Sequence, residues 1–229
     1  MENGGDVIPP SGGNGNSGKP SSNHGSGGIG GGNTLPPTEV LPPTENEAPS
    51  GKFKDELNGH WAEKEIAYLV DNGIVNGFNG TLGLTEETTR AEFTKMILEA
   101  VGIQPVPYNG AFDDVLGEEW YAGYLQAAAD MGIMQGFGGI ANPEARITRE
   151  EAVKIMLTSI KVETVESKMN FNDSEQISEW ARPYIGTAVA MGLIQGMEDN
   201  TFRPKAYTLR EQAMVMVYRM LNAEFGKAS

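Results

Sequence analysis

A unit of 59 to 60 residues occurs three times in this chain, and this repetition restricts the fold more than any other feature of the sequence. The three tryptophans of the chain lie 59 and 60 residues apart, and each is followed by a glycine at +12 and another at +16. The tryptophans are Trp61, Trp120 and Trp180, the glycines are Gly73, Gly132 and Gly192 and then Gly77, Gly136 and Gly196, and the aromatic residues that open the units are Phe53, Phe112 and Phe171. Repeats of this length stack units that bury their apolar faces against one another.

Each unit contains two helix patterns. Between the tryptophan and the first glycine, apolar residues fall at +5, +8 and +9, which is helical spacing, and glycine suits the left-handed position just after a helix. A second helix is predicted after a loop, because T-R-A-E at 89–92 and T-R-E-E at 148–151 have the S/T-x-x-E pattern of a capping box. Apolar residues follow each threonine at +4, +7, +8 and +12. The sequence therefore predicts an all-α fold of three helix–loop–helix repeats.

The third copy departs from this pattern at its second helix. Aligning Thr208 with Thr89 would preserve the cap, whereas aligning Leu209 with Thr89 preserves the apolar positions at +4, +7, +8 and +12. A slip of one residue turns a helix face by about 100°, whereas a lost cap costs only about 1 kcal/mol. We therefore align by the core, which makes Arg210 the counterpart of Arg90 and Arg149.

The first 50 residues have a different composition. They contain 12 Gly, 8 Pro, 6 Ser and 6 Asn and none of the 18 aromatic residues, so they cannot bury enough apolar surface to offset the entropy of ordering them. We expect residues 1–50 to be a disordered linker. The predicted repeats are then 51–103, 104–164 and 165–225.

Charge and composition exclude several kinds of function. The net charge of −14 and the lack of a basic stripe argue against a nucleic-acid partner. The absence of cysteine and the presence of only two histidines argue against a metal site, and no cofactor is predicted. No apolar run is long enough for a membrane helix, and no export signal is visible after Met1.

The F-x-D opening, the tryptophan-led helix, G-I-x-x-G and T-R-A-E together resemble the S-layer homology (SLH) repeat, in three tandem copies over 53–221. The resemblance implies a pseudo-threefold module in which the tryptophan-led helices form a central bundle and a groove lies between neighbouring copies. It also implies an extracellular anchor, associated with the cell wall or S-layer, that binds secondary cell-wall polysaccharide bearing a pyruvate ketal. Such an anchor would hold an S-layer protein, a surface enzyme or a scaffold.

The resemblance also implies which residues bind the glycan. The arginine of T-R-A-E corresponds to Arg90, Arg149 and Arg210, and the three tryptophans, Trp61, Trp120 and Trp180, together with Gly59, are further candidates. At the position of Gly59 the other copies have Glu118 and Ser178.

An arginine in the first turn of a helix is unusual, because that end of the helix dipole favours anions. This placement suggests that the arginine and free helix amides converge on the carboxylate of the pyruvyl group. The alternative is a capping box followed by a solvated arginine. Similarly, a tryptophan at a helix start is either a core residue or a platform on which a sugar stacks.

Three functions remain open from the sequence. The first is a non-catalytic, glycan-binding anchor. The second is a protein–protein or self-assembly module of the cell envelope, with other envelope proteins as partners. The third, glycoside hydrolysis by a carboxylate pair, is disfavoured because every candidate acid recurs at a structural position, and we expect no enzymatic activity.

Overall fold

The computed structural model describes residues 49–167 and 169–223, so nearly all of the predicted linker lies outside the described residues. The secondary structure of the described part is helical, with isolated β-bridges and no strands, which confirms the all-α prediction. The helices are α1 (Lys54–Leu57), α2 (Glu63–Asp71), α3 (Arg90–Ala100), α4 (Ala122–Asp130), α5 (Arg149–Ser159), α6 (Arg182–Ala190) and α7 (Arg210–Asn222), with short 3-10 turns at Pro49–Phe53, Ser174–Gln176 and Glu179–Ala181.

The helices that follow the tryptophans, α2, α4 and α6, end as predicted. Each is nine residues long, and the glycine two residues beyond its end has a φ of 70° to 71°. The second glycine of each repeat has another role, because the repeat's opening phenylalanine packs against it. A Cβ added at Gly77 would lie 2.4 Å from the Phe53 ring, and one at Gly196 would lie 2.6 Å from Phe171.

The second helices, α3, α5 and α7, begin where the core alignment places them. Thr89 and Thr148 form complete capping boxes at the starts of α3 and α5. Leu209 precedes α7 without a side-chain cap, so Arg210 takes the first helical position, as Arg90 and Arg149 do. The alignment by packing is therefore confirmed.

The expectation that the tryptophan-led helices form the central bundle is wrong. The helices α3, α5 and α7 pack against one another at the centre, and α2, α4 and α6 pack on the outside of α7, α3 and α5 respectively. The physical reason is burial around the helix: α3 buries Met96, Ile97 and Leu98 in succession, so it is covered on more than one face. A helix that is buried all round belongs in the middle of a bundle.

The three copies close into a ring, because α2 of the first copy packs on α7 of the third. The segments before the central helices meet in a cycle of three backbone hydrogen bonds. The amide of Thr88 donates to the Thr208 carbonyl, that of Thr208 to Ile147, and that of Ile147 to Thr88, each at 2.9 Å. The fold is therefore pseudo-threefold, as predicted, while the exact repeat boundaries stay a prediction.

This cycle generates a stability prediction. Thr88 of the first copy and Thr208 of the third are buried, and their Oγ1 atoms have no hydrogen-bond partner in the described part of the chain, whereas the second copy has Ile147 at this position. Replacing Thr88 with the isosteric valine should raise the free energy of unfolding by about 1 kcal/mol, because a buried unpaired hydroxyl is removed. Urea denaturation followed by circular dichroism measures the change.

The matched control is Thr187→Val. Thr187 is equally buried, but its hydroxyl accepts a hydrogen bond from the Val165 amide at 2.9 Å, so its loss should destabilise the fold. Similar losses of stability for Thr88→Val and Thr187→Val would contradict the prediction.

Candidate ligand-binding grooves

Three surface grooves lie at the junctions of the ring, and each takes residues from all three copies. Groove 1 contains Arg90, the loop at 132–142, α5 and Trp180. Groove 2 contains Arg149, residues of the 194–202 loop, α7 and Trp61. Groove 3 contains Arg210, the loop at 74–83, α3 and Trp120. Their volumes are about 660, 300 and 590 Å³ respectively, within the range of ligand sites in proteins.

The candidate arginines have the same backbone contact in every groove. The guanidinium Nε of each donates, at 2.9 Å, to a loop carbonyl of the next copy around the ring. The pairs are Arg90 with Ala141, Arg149 with Phe202, and Arg210 with Leu82. Each arginine is thus fixed in its groove by the neighbouring repeat, and the side chains are largely buried. The alternative of a solvated arginine is therefore wrong.

The accepting loops are themselves held by an acid near the start of their own repeat. Asp114 accepts hydrogen bonds from the amides of Ala141 and Asn142, at 2.8 and 2.7 Å. Asp173 does the same for the amides of Phe202 and Arg203. In the first copy the acid is Glu56, which directly follows Asp55, the aspartate of the F-x-D opening, and it accepts a hydrogen bond from the Leu82 amide. These carboxylates position the carbonyl to which the arginine donates.

The helix amides expected to meet a ligand are already occupied. At the start of α3, the amides of Arg90 and Ala91 donate to the carbonyls of Ala145 and Pro143. The first two amides of α5 and α7 make equivalent bonds to the next copy, and the third amide of α3 and α5 is bonded by the capping threonine. The hypothesis that free amides and the arginine converge on a carboxylate is therefore wrong, and an anion in these grooves would be met by side chains.

The partners of the guanidinium Nη atoms differ between grooves. Nη1 of Arg90 lies 2.8 Å from a carboxylate oxygen of Glu151, and Nη1 of Arg210 lies 3.7 Å from one of Glu92. At the same position on α7, the third residue of the helix, groove 2 has the neutral Gln212, whose Oε1 is 3.4 Å from Nη1 of Arg149. Burial, and secondarily the nearby Arg203, lowers the pKa of Arg149 to about 10.

The tryptophans are exposed and do not belong to the core. Their exposed fractions are 59% for Trp61, 55% for Trp120 and 44% for Trp180, although each lines a groove. In groove 1, Nζ of Lys154 lies 5.4 Å from the centre of the Trp180 ring. An exposed indole face beside a buried guanidinium suits a ligand that combines an apolar face with an anion.

Gly59 lies apart from the residues that line the three grooves. It has a φ of 75°, and its amide donates to Glu63 at the start of α2, so it shapes the loop that leads to Trp61. The neighbouring His60 lies 3.0 Å from Glu211 of α7 through Nε2, which ties this loop to the third copy.

Sequence reasoning missed two kinds of groove residue. Phe78 and Phe137 are 75% and 90% exposed and line grooves 3 and 1. Lys95 and Lys154 line the same two grooves. The signal was present in the repeat: each phenylalanine directly follows the second glycine of its copy, and each lysine lies five residues after the arginine.

Within residues 49–167 and 169–223, no group of three or more histidine, aspartate or glutamate residues is arranged to hold a metal ion. The helices of this part of the chain are also too short or too polar to cross a membrane.

The three helix–loop–helix copies form a closed ring, and each groove between copies contains an arginine and a tryptophan. This arrangement defines a helical repeat module whose candidate binding sites lie at the junctions between its copies. The family model described as the S-layer homology domain matches this chain at 52–94, 111–153 and 170–214, one match in each predicted repeat. The chain therefore belongs to the S-layer homology family.

Similar proteins include both enzymes and surface-layer proteins. The chain is 38% identical over 185 residues to the exoglucanase XynX of Acetivibrio thermocellus, covering 76% of the chain and 17% of the enzyme. It is 37% identical over 177 residues to the amylopullulanase of Thermoanaerobacterium thermosulfurigenes, covering 74% and 10%. The surface-layer 125 kDa protein of Lysinibacillus sphaericus is 28% identical over 166 residues, covering 70% and 14%.

The chain spans less than a fifth of the length of these relatives, so the activities in the enzymes' names remain statements about those enzymes. What the relatives share with the chain is the S-layer homology region. Family membership, with surface-layer proteins among the relatives, supports a cell-surface anchoring module.

The different burial of the aromatic residues gives a second stability prediction. Phe112→Ala should lower the free energy of unfolding by about 3–5 kcal/mol, because Phe112 is buried in the core. Trp120→Ala should change it by less than about 1 kcal/mol, because the indole is half exposed. Urea denaturation of both variants measures the difference, and equal losses would show that Trp120 belongs to the core.

Proposed function

We propose that this chain is a non-catalytic anchor whose grooves bind pyruvylated secondary cell-wall polysaccharide. The observation that supports the proposal most directly is the presence, in each groove, of one exposed tryptophan and one largely buried arginine. Such a groove offers an apolar face for a sugar ring and a cationic fork for a carboxylate. A glycan bearing a pyruvate ketal has both of these features.

The acidic character of the module is compatible with an anionic glycan. Residues 51–229 have 26 acidic and 16 basic side chains, so the long-range field is repulsive. At physiological salt this repulsion is screened beyond about 8–10 Å. A charge-assisted hydrogen bond from a guanidinium contributes about 1.5–3 kcal/mol at contact distance. Local groups therefore determine the affinity.

Three grooves in one module favour retention on a polymer. A wall polysaccharide presents its sugars many times along the chain, so a second groove binds another part of the polymer at the high effective concentration set by the first. In this proposal the module acts outside the cell, at the wall or S-layer, and the linker at 1–50 joins it to an S-layer protein, a surface enzyme or a scaffold.

A second candidate, a protein–protein or self-assembly module of the envelope, has one observation in its favour. Leu116 is 86% exposed and Phe137 is 90% exposed, and large apolar side chains at the surface are typical of protein interfaces. Phe137 also lines groove 1, where it can contact a sugar, so this observation favours the second candidate less strongly.

The test is the affinity of the full chain for purified pyruvylated wall polymer. Replacing Trp61, Trp120 and Trp180 together by alanine should lower the affinity by roughly thirtyfold or more, because each groove loses its exposed indole ring. Thermal denaturation should show a folded variant, since the three side chains are exposed. Sedimentation with the polymer or calorimetry measures the binding.

Two controls accompany this test. Leu116→Ala removes an exposed apolar side chain outside the grooves and should leave the affinity for the polymer unchanged. Chemical removal of the pyruvate from the polymer should abolish most of the binding by the wild-type chain. Equal binding to both polymers would contradict the proposal and favour recognition of another envelope component.

A further inference from the structure

The three grooves have different charges around their arginines, and we infer that groove 2 is the one that takes the ligand's carboxylate. This inference rests on the proposed function, since it assigns the anionic part of the proposed ligand to one groove. The inference depends on the residue that lies next to each guanidinium. In every groove this residue is the third of the central helix that belongs to the following copy.

In groove 2 the hydrogen-bonding capacity of Arg149 is left largely unfilled. Its Nε is bonded to the Phe202 carbonyl at 2.9 Å, but its two Nη atoms make only long contacts, of 3.4 Å to Gln212 and 3.5 Å to the Gln195 carbonyl. Arg149 is only 7% exposed, so water cannot fully solvate the charge. Its pKa remains about 10, so the side chain carries a full positive charge at neutral pH. Among the described residues, no carboxylate lies within salt-bridge distance of Arg149: Asp173 acts on its charge from farther away and is already bonded to the amides of Phe202 and Arg203. A buried cation in this position gains strongly from a bound anion.

The corresponding arginines of the other two grooves already have an anion. Glu151 lies 2.8 Å from Arg90 in groove 1, and Glu92 lies 3.7 Å from Arg210 in groove 3. A ligand carboxylate in either groove would have to displace this glutamate or lie beside it, and two carboxylates at one guanidinium repel each other. The glutamates also form the capping boxes of their helices, which holds them in place.

The rest of groove 2 reinforces the difference. Its walls include Val153, Ile194 and Met216, and Val215 occupies the position at which the other grooves have a lysine. An apolar wall lowers the local dielectric constant and strengthens an ion pair with Arg149. Among the described residues, Glu211 is the one acid that lines the groove, and its carboxylate lies 3.0 Å from Nε2 of His60.

Groove 1 has further cations, but each of them already has a partner in the protein. Lys154 lies over the rings of Trp180 and Tyr184, and Arg146 is bonded to the Glu87 carbonyl at 2.8 Å. These side chains support stacking and the contact between copies. Groove 2 has two cations, Arg149 and Arg219, and the buried one, Arg149, forms no salt bridge with any described residue.

The test adds the missing carboxylate. In the full chain, Gln212→Glu places an acid where Glu151 and Glu92 stand in the other grooves, so it should pair with Arg149. Affinity for purified pyruvylated polymer should fall about tenfold or more, while the melting temperature stays equal or rises. The matched control, Gln176→Glu, adds the same charge at an exposed residue outside the grooves and should leave the affinity within about twofold of the wild type.

A second pair of variants covers the case in which Gln212→Glu does not fold. Arg149→Lys and Arg90→Lys both remove the Nε bond to the next copy while keeping the charge. The inference expects Arg149→Lys to lose several-fold more affinity than Arg90→Lys.

The possible results separate this inference from the proposed function. Wild-type affinity in Gln212→Glu, or equal losses for the two lysine variants, would overturn the assignment of the carboxylate to groove 2 while the anchor proposal stands. Failure of the wild-type chain to bind the pyruvylated polymer would overturn the proposed function itself.

Discussion

The fold depends on the hydrogen bonds between the N-terminus of each central helix and the next copy. The free amides at a helix start need acceptors, and here the first two of α3, α5 and α7 bind carbonyls of the neighbouring repeat's loop. The arginine at the first helical position adds a side-chain bond to the same loop. Since this exchange runs from copy one to two, two to three and three back to one, no copy is complete without its neighbours.

The grooves are a direct consequence of this exchange. Each arginine reaches across a junction and therefore lies where two copies meet. At the same place, the segment just before an outer helix of the remaining copy contributes its tryptophan. Fold and candidate site therefore share the same side chains. Removing one of these arginines breaks a contact between copies as well as a possible ligand contact, so a loss of binding alone does not distinguish the two roles.

The local features of the fold could be predicted from the sequence, whereas the features made between copies could not. Helix starts and ends follow from capping boxes and left-handed glycines, and the position of Arg210 follows from the apolar spacing. Sequence reasoning placed the wrong helices at the centre, although the consecutive apolar residues of α3, α5 and α7, such as those at 96–98, indicate burial on more than one face. The hydrogen bonds that occupy the helix amides, and the contact between Arg149 and Gln212, are made with residues about 60 positions away in the sequence. The periodic pattern of a repeat does not predict such contacts. The exposure of the tryptophans likewise depends on how the copies pack.

The sequence symmetry of the three copies makes the exception at Gln212 informative. Glutamine and glutamate have nearly the same shape, so packing does not prevent an acid at this position, and the other two junctions accommodate one. A chain selected only for stability would gain by pairing the buried Arg149, since an unpaired buried charge is expensive. Proteins usually tolerate such a cost at sites that bind something, where the ligand supplies the missing partner. Under the proposed function, the same reasoning accounts for anion binding by a module with a large negative charge. The charge that determines the affinity is that of Arg149, which has no carboxylate within salt-bridge distance in the described part of the chain, and the net charge of the surface is screened beyond about 8–10 Å.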